Sequence, residues 1–484
     1  MYLGIDIGTS SVKAVLIGDS GEVLSAGSSP LTVLRPRSGW SEQDPKAWLA
    51  AVEQALSAVR EASPDAYAAA RGIGLSGQMH GATVLGADDE PLAPAILWND
   101  VRAADEAALL DADPAFREIT GNIVFPGFTA PKLLWLQRHR PETFSAMRRV
   151  LLPKDFVRLW LSGEAISDMS DASGTAWLDV GRRQWSKTLL EATGMVEEQM
   201  PSLAEGTAQA GALRPSIAER LGLPPGIPIA GGAGDNAASA CGVGAVEAGA
   251  GFVSLGTSGV LFVVTDRFLA DPQSAIHAFC HALPGKWHQM GVILSAAASL
   301  EWLAGVTGAP PGALVEQLGD ALAPPSPVTF LPYLGGERTP HNDASIRGAF
   351  AGLDLATTRN DLTRSVVEGV AFALRDSLNA LLGTGARIER LTIVGGGARS
   401  RYWSRLLATV LDLPIAVPAD GDFGAAFGAA RLGLIAATGA DPAAVCTPPA
   451  IRETVAPEPA LVPAYEEAHA RFRRLYPALK GAGR

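Results

Sequence analysis

The chain has 484 residues, a formal net charge of −11 and a pI near 5.2. This length predicts two or more domains with sizeable cores, and the acidic balance argues against nucleic-acid binding, which needs clustered Lys and Arg. The three cysteines are typical of a reducing compartment, and no basic segment precedes the first apolar run, so we expect a cytoplasmic protein without a secretory signal.

The first half alternates strand and helix patterns. In chain order it predicts a strand ending at Asp6, a hairpin over Val12–Ile17 and Glu22–Ala26, a helix over Pro45–Arg60 capped by Asp44, and a strand over Gly72–Leu75. The helix is indicated by apolar spacings of three and four, and the hairpin by the glycines at 18 and 21. This order predicts an α/β sheet covered by helices.

The second half repeats this logic with different sequences. It predicts glycine-rich strands over 226–264, helices near Ser295–Val306 and Arg359–Leu382, a strand over Leu391–Val394 and a final helix over Tyr465–Lys480. The longest apolar region, 242–264, contains many glycines and Glu247, which favours buried strands over a membrane span. Proline-rich stretches at 324–327 and 448–463 indicate surface connections or a strap.

One short signal occurs twice, nearly half the chain apart. GIDIGTSS runs from Gly4 to Ser11, and VSLGTSG runs from Val253 to Gly259. A turn of Gly, Thr and Ser between strands offers backbone N–H groups and hydroxyls to phosphate oxygens. A single such tripeptide is usually an ordinary turn, but the pair indicates two halves that face one nucleotide. The candidate phosphate-binding residues are Gly8, Thr9, Ser10, Gly256, Thr257 and Ser258, with Lys13 able to reach phosphate unless it is an ordinary surface lysine.

Asp235 is the candidate acceptor for a proton. It follows an apolar run and a glycine turn, and it begins the small-residue stretch Asn236–Ala240. This places its carboxylate at a strand-to-helix corner, where the helix N-terminus favours the ionised form. A plain N-cap explains the same spacing equally well.

A dinucleotide fingerprint competes for the same segment. Gly232, Gly234 and Ala237 have its spacing after a strand. The motif also needs a strand ending in an acid about 20 residues further on. None occurs there, and Glu247 is too near, so a dehydrogenase is disfavoured.

Several segments together resemble the FGGY carbohydrate kinases of the actin-like ATPase superfamily. The ordered set is GIDIGTSS, GGAGDNAA, VSLGTSG, FLPYLGGERTPH and IVGGGARS, and the resemblance extends over residues 1–434. Within the family, LSGQMHGA, AILWND and GFTAPKLLWL are similar to the members that phosphorylate a ketopentose. Each motif is weak or moderate by itself, whereas the ordered set is specific.

This resemblance implies a fold, a reaction and its reactants. The implied fold is α/β, with two actin-like (ribonuclease H-like) domains of mixed β-sheets flanked by helices and an active site in the cleft between them. We expect domains at 1–245 and 246–440, followed by a strap and helix at 441–484. The expected reaction transfers the γ-phosphoryl group of ATP, with magnesium, to the terminal hydroxyl of a ketopentose such as D-xylulose, and the two halves are expected to close over both ligands.

The resemblance also implies roles for individual residues. It makes Asp235 the general base, Asp6 a magnesium ligand acting through water, and the turn at Gly395, Gly396, Gly397 and Ala398 the adenosine site. The implied sugar-binding residues are Gln78, Met79, His80, Trp98, Asn99 and Asp235. Structural readings compete: a buried structural histidine for His80, a turn-bonding carboxylate for Asp6, and a tightly packed helix start for the glycines.

Some features stay open at this level. The family often has Gly where Val101 lies, so the roles of Asp100 and Arg102 are undecided. The spacing of His277, Cys280, His281 and His288 could ligate zinc, but a single thiol and an ATP-dependent reaction disfavour such a site. A non-metabolic actin-like ATPase shares the phosphate turns, although it has no obvious use for the sugar motifs. The expected partners are a sugar and ATP, with no nucleic acid or membrane, and a homodimer is one option for the assembly.

Overall fold

The computed structural model describes residues 1–419 and 424–481. The strands of the first half are β1 (Tyr2–Ile7), β2 (Ser11–Ile17), β3 (Val23–Pro30), β4 (Glu42–Gln43), β5 (Gly72–Gly77), β6 (Thr83–Leu85), β7 (Ala95–Ile96), β8 (Arg149–Leu151), β9 (Ile166–Asp168), β10 (Leu178–Asp179), β11 (Gln184–Trp185), β12 (Ser202–Ala204), β13 (Gln209–Ala212), β14 (Pro228–Ala230) and β15 (Ala233–Gly234). Its helices are α1 (Pro45–Ala62), α2 (Pro64–Ala68), α3 (Ala104–Asp111), α4 (Pro114–Thr120), α5 (Thr129–His139), α6 (Pro141–Ala146), α7 (Pro153–Ser162), α8 (Met169–Ala172), α9 (Lys187–Glu191), α10 (Pro215–Leu221) and α11 (Asp235–Gly242).

The second half has fewer and longer elements. Its strands are β16 (Ala250–Leu255), β17 (Gly259–Thr265), β18 (His277–Cys280), β19 (Trp287–Ile293), β20 (Thr329–Leu331), β21 (Ala349–Ala351), β22 (Arg390–Val394), β23 (Ile415–Pro418) and β24 (Ile451–Val455). Its helices are α12 (Ala297–Thr307), α13 (Pro311–Glu316), α14 (Arg359–Gly383), α15 (Arg401–Leu411), α16 (Ala425–Thr438), α17 (Pro442–Val445) and α18 (Val462–Leu479). The predicted α/β class and the predicted helices near 297, 359 and 465 are confirmed.

Two large mixed sheets repeat one plan. In the first, β1 pairs antiparallel with β2 and parallel with β5, and the strand order is β13-β14-β5-β1-β2-β3 with β15 also on β5. In the second, β16 pairs antiparallel with β17 and parallel with β22, in the order β18-β19-β17-β16-β22-β23-β24. Each Gly-Thr-Ser turn therefore joins the central hairpin of its own sheet.

Alternation along β1 explains how its sheet is covered on both faces. Leu3, Ile5 and Ile7 belong to one core cluster with residues of α1, which starts at the predicted cap, where Asp44 accepts a hydrogen bond from the Lys46 N–H. Tyr2, on the other face of the strand, clusters with residues of α16. Side chains on a strand point alternately to opposite faces, so the same strand contacts a helix from each half of the chain.

The backbone of α16 lies directly on the first sheet. A Cβ at Gly74 of β5 would overlap the Ala429 carbonyl oxygen, one at Gly4 of β1 would overlap that of Ala426, and one at Gly428 would overlap that of Ala238 in α11. Glycine is required here because only a residue without a side chain permits this approach. The sequence division places α16 with the second domain, whereas its contacts are with the first sheet and α11.

The C-terminal segment completes the second sheet. Strand β24 pairs antiparallel with β23 at the sheet edge, and Tyr465 of α18 donates a hydrogen bond to the Ala323 carbonyl. The second proline-rich stretch is therefore more than a surface connection. Among the described residues, no helix combines the length and the apolar run needed to cross a bilayer.

Because α16 leaves no room on β5, we expect Gly74→Ala to destabilise the protein by about 1–3 kcal/mol through overpacking. The matched control is Gly305→Ala in α12, where nothing lies within contact distance of the added Cβ and a gain of about 0.5–1 kcal/mol is expected from helix propensity. Thermal unfolding of both variants checks the prediction. Equal melting temperatures would contradict the close approach of α16 to the sheet.

Candidate active site

The turn between β1 and β2 is held by a hydrogen-bond network. Its Thr9 hydroxyl donates to Gln78 Oε1 at 3.1 Å and accepts from Trp98 Nε1 at 3.0 Å, and its Thr9 carbonyl accepts from Gln43 Nε2 at 2.7 Å. Inside the turn, the Gly8 N–H donates to the Ser11 carbonyl at 3.1 Å. The turn is therefore fixed in shape before any ligand arrives, as a phosphate cradle requires.

Gln78, which is predicted to contact the sugar, forms hydrogen bonds with this turn. Its side chain is buried, and its amide nitrogen donates to Gln43 Oε1 at 2.9 Å and to the Gly8 carbonyl at 3.4 Å. With Oε1 accepting from Thr9, both ends of the amide are occupied by protein groups. In this structure Gln78 therefore holds the turn at Gly8 and Thr9 in place.

The matching turn of the second sheet is tied to a helix. The Gly256 and Thr257 carbonyls accept from the N–H groups of Ala297 and Ala296, each at 2.9 Å, at the start of α12. The side chains of Thr257 and Ser258 stay exposed. Their hydroxyls are consequently available to an anionic ligand in addition to the backbone.

Strand register brings the two candidate carboxylates to one sheet edge. Asp6 of β1 pairs with Ser76 of β5, which pairs with Ala233 of β15, two residues before Asp235. The Ser76 hydroxyl donates to Asp6 Oδ1 at 2.6 Å. Lys13 lies opposite Asp6 on β2 with its side chain exposed. Because β1 and β5 are parallel, their carboxyl ends meet at the same edge.

Asp235 is the first residue of α11, and it is half-buried. Burial and the negative charge of Asp6 raise the pKa of Asp235 to about 7, although hydrogen bonds from the Asn236 N–H and Nδ2 lower it. The helix N-terminus favours the ionised form, whereas burial and Asp6 act in the opposite direction. A carboxylate with a pKa near 7 is poised to accept a proton at neutral pH.

A buried ionic cluster lies behind Asp235. The Gly234 N–H donates to the Ser170 hydroxyl at 3.1 Å, and this hydroxyl donates to Asp168. Asp168 in turn pairs with Lys154 at 2.8 Å, and both side chains are fully buried. Since removing one partner of such a pair leaves an uncompensated buried charge, the cluster fixes the backbone that presents Asp235.

Met79 and His80 follow strand β5 directly after Gln78. A Cβ at Gly234 would meet the Met79 side chain, so this side chain lies against the Asp235 turn. His80 stacks on Phe128 at 4.7 Å between ring centroids, and its Nδ1 lies 2.6 Å from the Gly174 carbonyl. A carbonyl only accepts hydrogen bonds, so Nδ1 carries the proton and Nε2 presents a lone pair.

His80 is neutral and its backbone is strained. Burial lowers the pKa of His80 to about 3, against a smaller opposing effect of the Gly174 hydrogen bond. Its φ of 70° lies in the left-handed region, which is costly for a residue with a side chain. A strained backbone that persists needs surrounding groups to hold it.

Those groups are Lys132 and Thr129 of α5. Both donate to the His80 carbonyl, Lys132 Nζ at 2.9 Å and Thr129 Oγ1 at 3.1 Å. Burial lowers the pKa of Lys132 well below its usual range, with a smaller opposing effect of Asp100. In the sequence, GFTAPKLLWL contributes to the family resemblance, but no role is predicted for Lys132. Its position among apolar residues of a helix is the feature that could have indicated one.

Trp98, Asn99 and Asp100 are neighbours in sequence but differ in their surroundings. Trp98 is 45% exposed, and the Asn99 Oδ1 is buried without a hydrogen-bond partner among the described residues. Asp100 accepts from the Ser41 N–H at 2.6 Å and from Arg102 Nη2 at 2.7 Å, and Arg102 also pairs with Glu42. Asp100 and Arg102 therefore hold the loop together, which gives these undecided residues a structural role.

The predicted adenosine turn borders two cavities. One, of about 700 Å³, lies beside the second phosphate turn; residues lining it include Gly256, Thr257, Leu300, Val315, Gly396, Gly397 and Tyr402. The other, of about 670 Å³, is lined by Gly395, Gly396 and Ala398 together with Ser239 of α11. The first cavity combines apolar walls with a phosphate turn, as a nucleoside site requires.

Of the four residues with zinc-like spacing, three contact other polar groups, and His288 stacks on Phe262 at 4.4 Å between ring centroids. His277 Nε2 lies 3.2 Å from Arg338 Nη1, Cys280 Sγ donates to the Val180 carbonyl, and His281 Nε2 lies 3.2 Å from the Ala245 carbonyl. Within the part of the chain that the structure describes, no group of three His, Cys, Asp or Glu side chains could hold a metal ion.

Comparisons with known proteins point to one family. Models described as the N-terminal and C-terminal domains of the FGGY family of carbohydrate kinases match residues 1–242 and 251–437. A xylulose kinase from Escherichia coli is 47% identical over 99% of both chains. Solved structures of a "xyloylose kinase" from Brucella ovis (TM-score 0.98, 59% identical) and a xylulose kinase from Rhodospirillum rubrum (TM-score 0.92, 29% identical) each cover 99% of both chains.

Burial of Lys132 predicts a pH signature in stability. Since its folded pKa lies well below the unfolded value of 10.5, the native state binds fewer protons, and stability rises with pH toward 10.5 by up to about 1.4 kcal/mol per unit. We expect Lys132→Met to lose this rise, and the exposed Lys187→Met to keep it. Melting temperatures measured from neutral pH upward check it; parallel curves for wild type and Lys132→Met would contradict it.

Proposed function

Because the chain belongs to the FGGY family of carbohydrate kinases, we propose that it phosphorylates D-xylulose with ATP, giving D-xylulose 5-phosphate and ADP. The observation that carries the proposal is the Asp235 carboxylate, which lies at the sheet edge beside Asp6 with a pKa of about 7. The named relatives, whose chains match over almost their full length, support xylulose as the sugar.

Asp235 acts as the general base in this proposal. Its carboxylate orients the terminal hydroxyl of the sugar and accepts its proton as the phosphoryl group is transferred. The hydrogen bonds from Asn236 to Oδ1, at 2.7 and 2.9 Å, set the orientation of the carboxylate. A plain N-cap role is less favoured, because the α11 N-cap position itself belongs to Gly234.

The sugar contacts come from the Met79–His80 segment and from Trp98 and Asn99. His80 Nε2 accepts a hydrogen bond from a sugar hydroxyl, and Met79 packs against the C–H face of the sugar. The Asn99 amide, with its buried Oδ1, and the exposed Trp98 complete this side. Gln78 contributes indirectly, by fixing the turn at Thr9.

The nucleotide lies across both halves. Its phosphates contact the turns at Gly8, Thr9, Ser10, Gly256, Thr257 and Ser258, with Lys13 on the neighbouring strand. Its adenosine lies in the cavity of about 700 Å³ along the turn at Gly395–Ala398. The fold supports this placement, because each phosphate turn joins the central hairpin of one sheet.

The residues at the sheet edge fit a magnesium ion. The charge of Asp6 raises the pKa of Asp235, and a divalent cation would offset this repulsion between carboxylates. Asp6 would hold the ion through water, as suits a cation that keeps several of its waters. Once bound, magnesium would neutralise charge on the phosphates during transfer.

The proposal also includes the domain boundaries and the cellular location. We place the domains at 1–245 and 246–440, with the strap and helix from 441 onward, while α16 anchors the second unit on the first sheet. ATP and three free thiols fit a cytoplasmic enzyme.

The first test measures ADP release against D-xylulose, L-ribulose, glycerol, xylitol and no sugar. We expect D-xylulose to stimulate wild type most, and Asp235→Ala to lose about 10²- to 10⁴-fold in rate. The matched control is Asp113→Ala, which removes a helix-capping aspartate from α4 and leaves the rate unchanged. If only another sugar stimulates ADP release, that sugar replaces xylulose as the proposed substrate. If the Asp235→Ala variant keeps its activity, Asp235 is not the general base.

The pH profile of kcat/KM tests the protonation of Asp235. Only the ionised carboxylate accepts a proton, so with a pKa of about 7 activity falls about tenfold for each pH unit below 7 and is constant above it. Raising the magnesium concentration moves this acidic limb to lower pH, because a cation near Asp6 offsets its charge. A limb near the ordinary carboxyl pKa of about 4, independent of magnesium, would contradict the raised pKa.

A further inference from the structure

Two of the three cysteines of the chain lie together and are not among the predicted site residues. Cys241 is in the last turn of α11, Cys446 directly follows α17, and both are buried in one apolar cluster. The two thiols lie close enough for each to shift the pKa of the other. Cys280, the third cysteine, belongs to a different cluster and donates to the Val180 carbonyl.

Backbone contacts independently hold these two segments against each other. Arg431 Nη1 of α16 donates to the carbonyls of Cys241, Gly242 and Thr447, at 2.9, 3.1 and 2.8 Å. Near the end of α11, a Cβ at Gly244 would overlap the backbone of Thr447 and Pro448. The two cysteine positions are therefore fixed by main-chain packing as well as by their side chains.

We propose that Cys241 and Cys446 are a modification site, at which a peroxide oxidises the two thiols to a reversible disulfide. The disulfide joins the helix that begins with Asp235 to the C-terminal segment. The kinase reaction does not use either thiol, so the site is separate from the proposed function.

The step balances with one peroxide per disulfide. The Cys446 thiol releases its proton, and the thiolate attacks one peroxide oxygen; the O–O bond breaks, Cys446 becomes a sulfenic acid, and the leaving hydroxide takes up that proton to form the first water. The Cys241 sulfur then attacks the Cys446 sulfur, the S–S bond forms, the S–O bond breaks, and water leaves. Two thiols are oxidised and one hydrogen peroxide is reduced to two waters.

Local chemistry assigns Cys446 as the attacking sulfur. The interaction with the Cys241 thiol, together with the nearby Arg431 guanidinium, holds the pKa of Cys446 below its usual range, while the interaction with Cys446 and burial raise the pKa of Cys241. Cys446 also lies directly beneath the surface, since Thr447 and Pro448 are exposed and α17 has only four residues. A small local opening therefore admits a peroxide.

The experiment treats the folded full chain with hydrogen peroxide, alkylates the remaining thiols under denaturing conditions and maps the peptides by mass spectrometry. We expect wild type to lose two of its three alkylatable thiols, with a peptide linked through Cys241 and Cys446 and with Cys280 alkylated. Dithiothreitol returns all three thiols.

Variants separate pairing from general oxidation. Cys280→Ser is the matched control and forms the same linked peptide, whereas Cys446→Ser leaves Cys241 alkylated as a thiol. The proposal is overturned if Cys241 and Cys446 are both still alkylated after peroxide treatment, or if Cys446 is oxidised to a sulfinic acid beside an unchanged Cys241. The wild-type peptide map decides between these outcomes even if a variant fails to fold.

Discussion

The register of three adjacent strands in the first sheet is the constraint on which the site depends. Asp6 on β1, Ser76 on β5 and Ala233 on β15 are neighbours across the sheet, so the chain leaves all three strands at one edge. The phosphate turn, the Gln78–His80 segment and Asp235 are the continuations of these strands. A slip of one residue in any pairing would turn the affected side chains to the opposite face and separate the two carboxylates.

That register is protected by packing from the other half of the chain. Helix α16 lies on glycines 4 and 74, and it also contacts α11, the helix that begins with Asp235. The helix that begins with Asp235 thus packs against α16, which follows it by almost 200 residues in sequence. This packing is one of several contacts between the two halves: Asn122 also exchanges hydrogen bonds with the backbone of Ala278 in β18.

The surroundings of Asp235 and His80 determine their protonation states. Burial and a neighbouring carboxylate raise the pKa of Asp235 toward neutrality, whereas burial keeps His80 neutral with its proton on Nδ1. Asp235 can therefore accept a proton, and the neutral His80 can accept a hydrogen bond at Nε2. The buried pair of Lys154 and Asp168 supports the backbone before Asp235 through the Ser170 hydroxyl.

The sequence by itself determined the elements and the chemistry-bearing turns. The repeated Gly-Thr-Ser turns, the helix capped by Asp44 and the strand–turn–helix at Asp235 depend on local glycine, capping and periodicity rules, and local rules can be read from adjacent residues. Only the tertiary structure decided the partners of Gln78, the role of Lys132 behind His80, the packing of α16 on the first sheet and the raised pKa of Asp235. These depend on groups brought together from distant parts of the chain, and on burial that no single segment specifies.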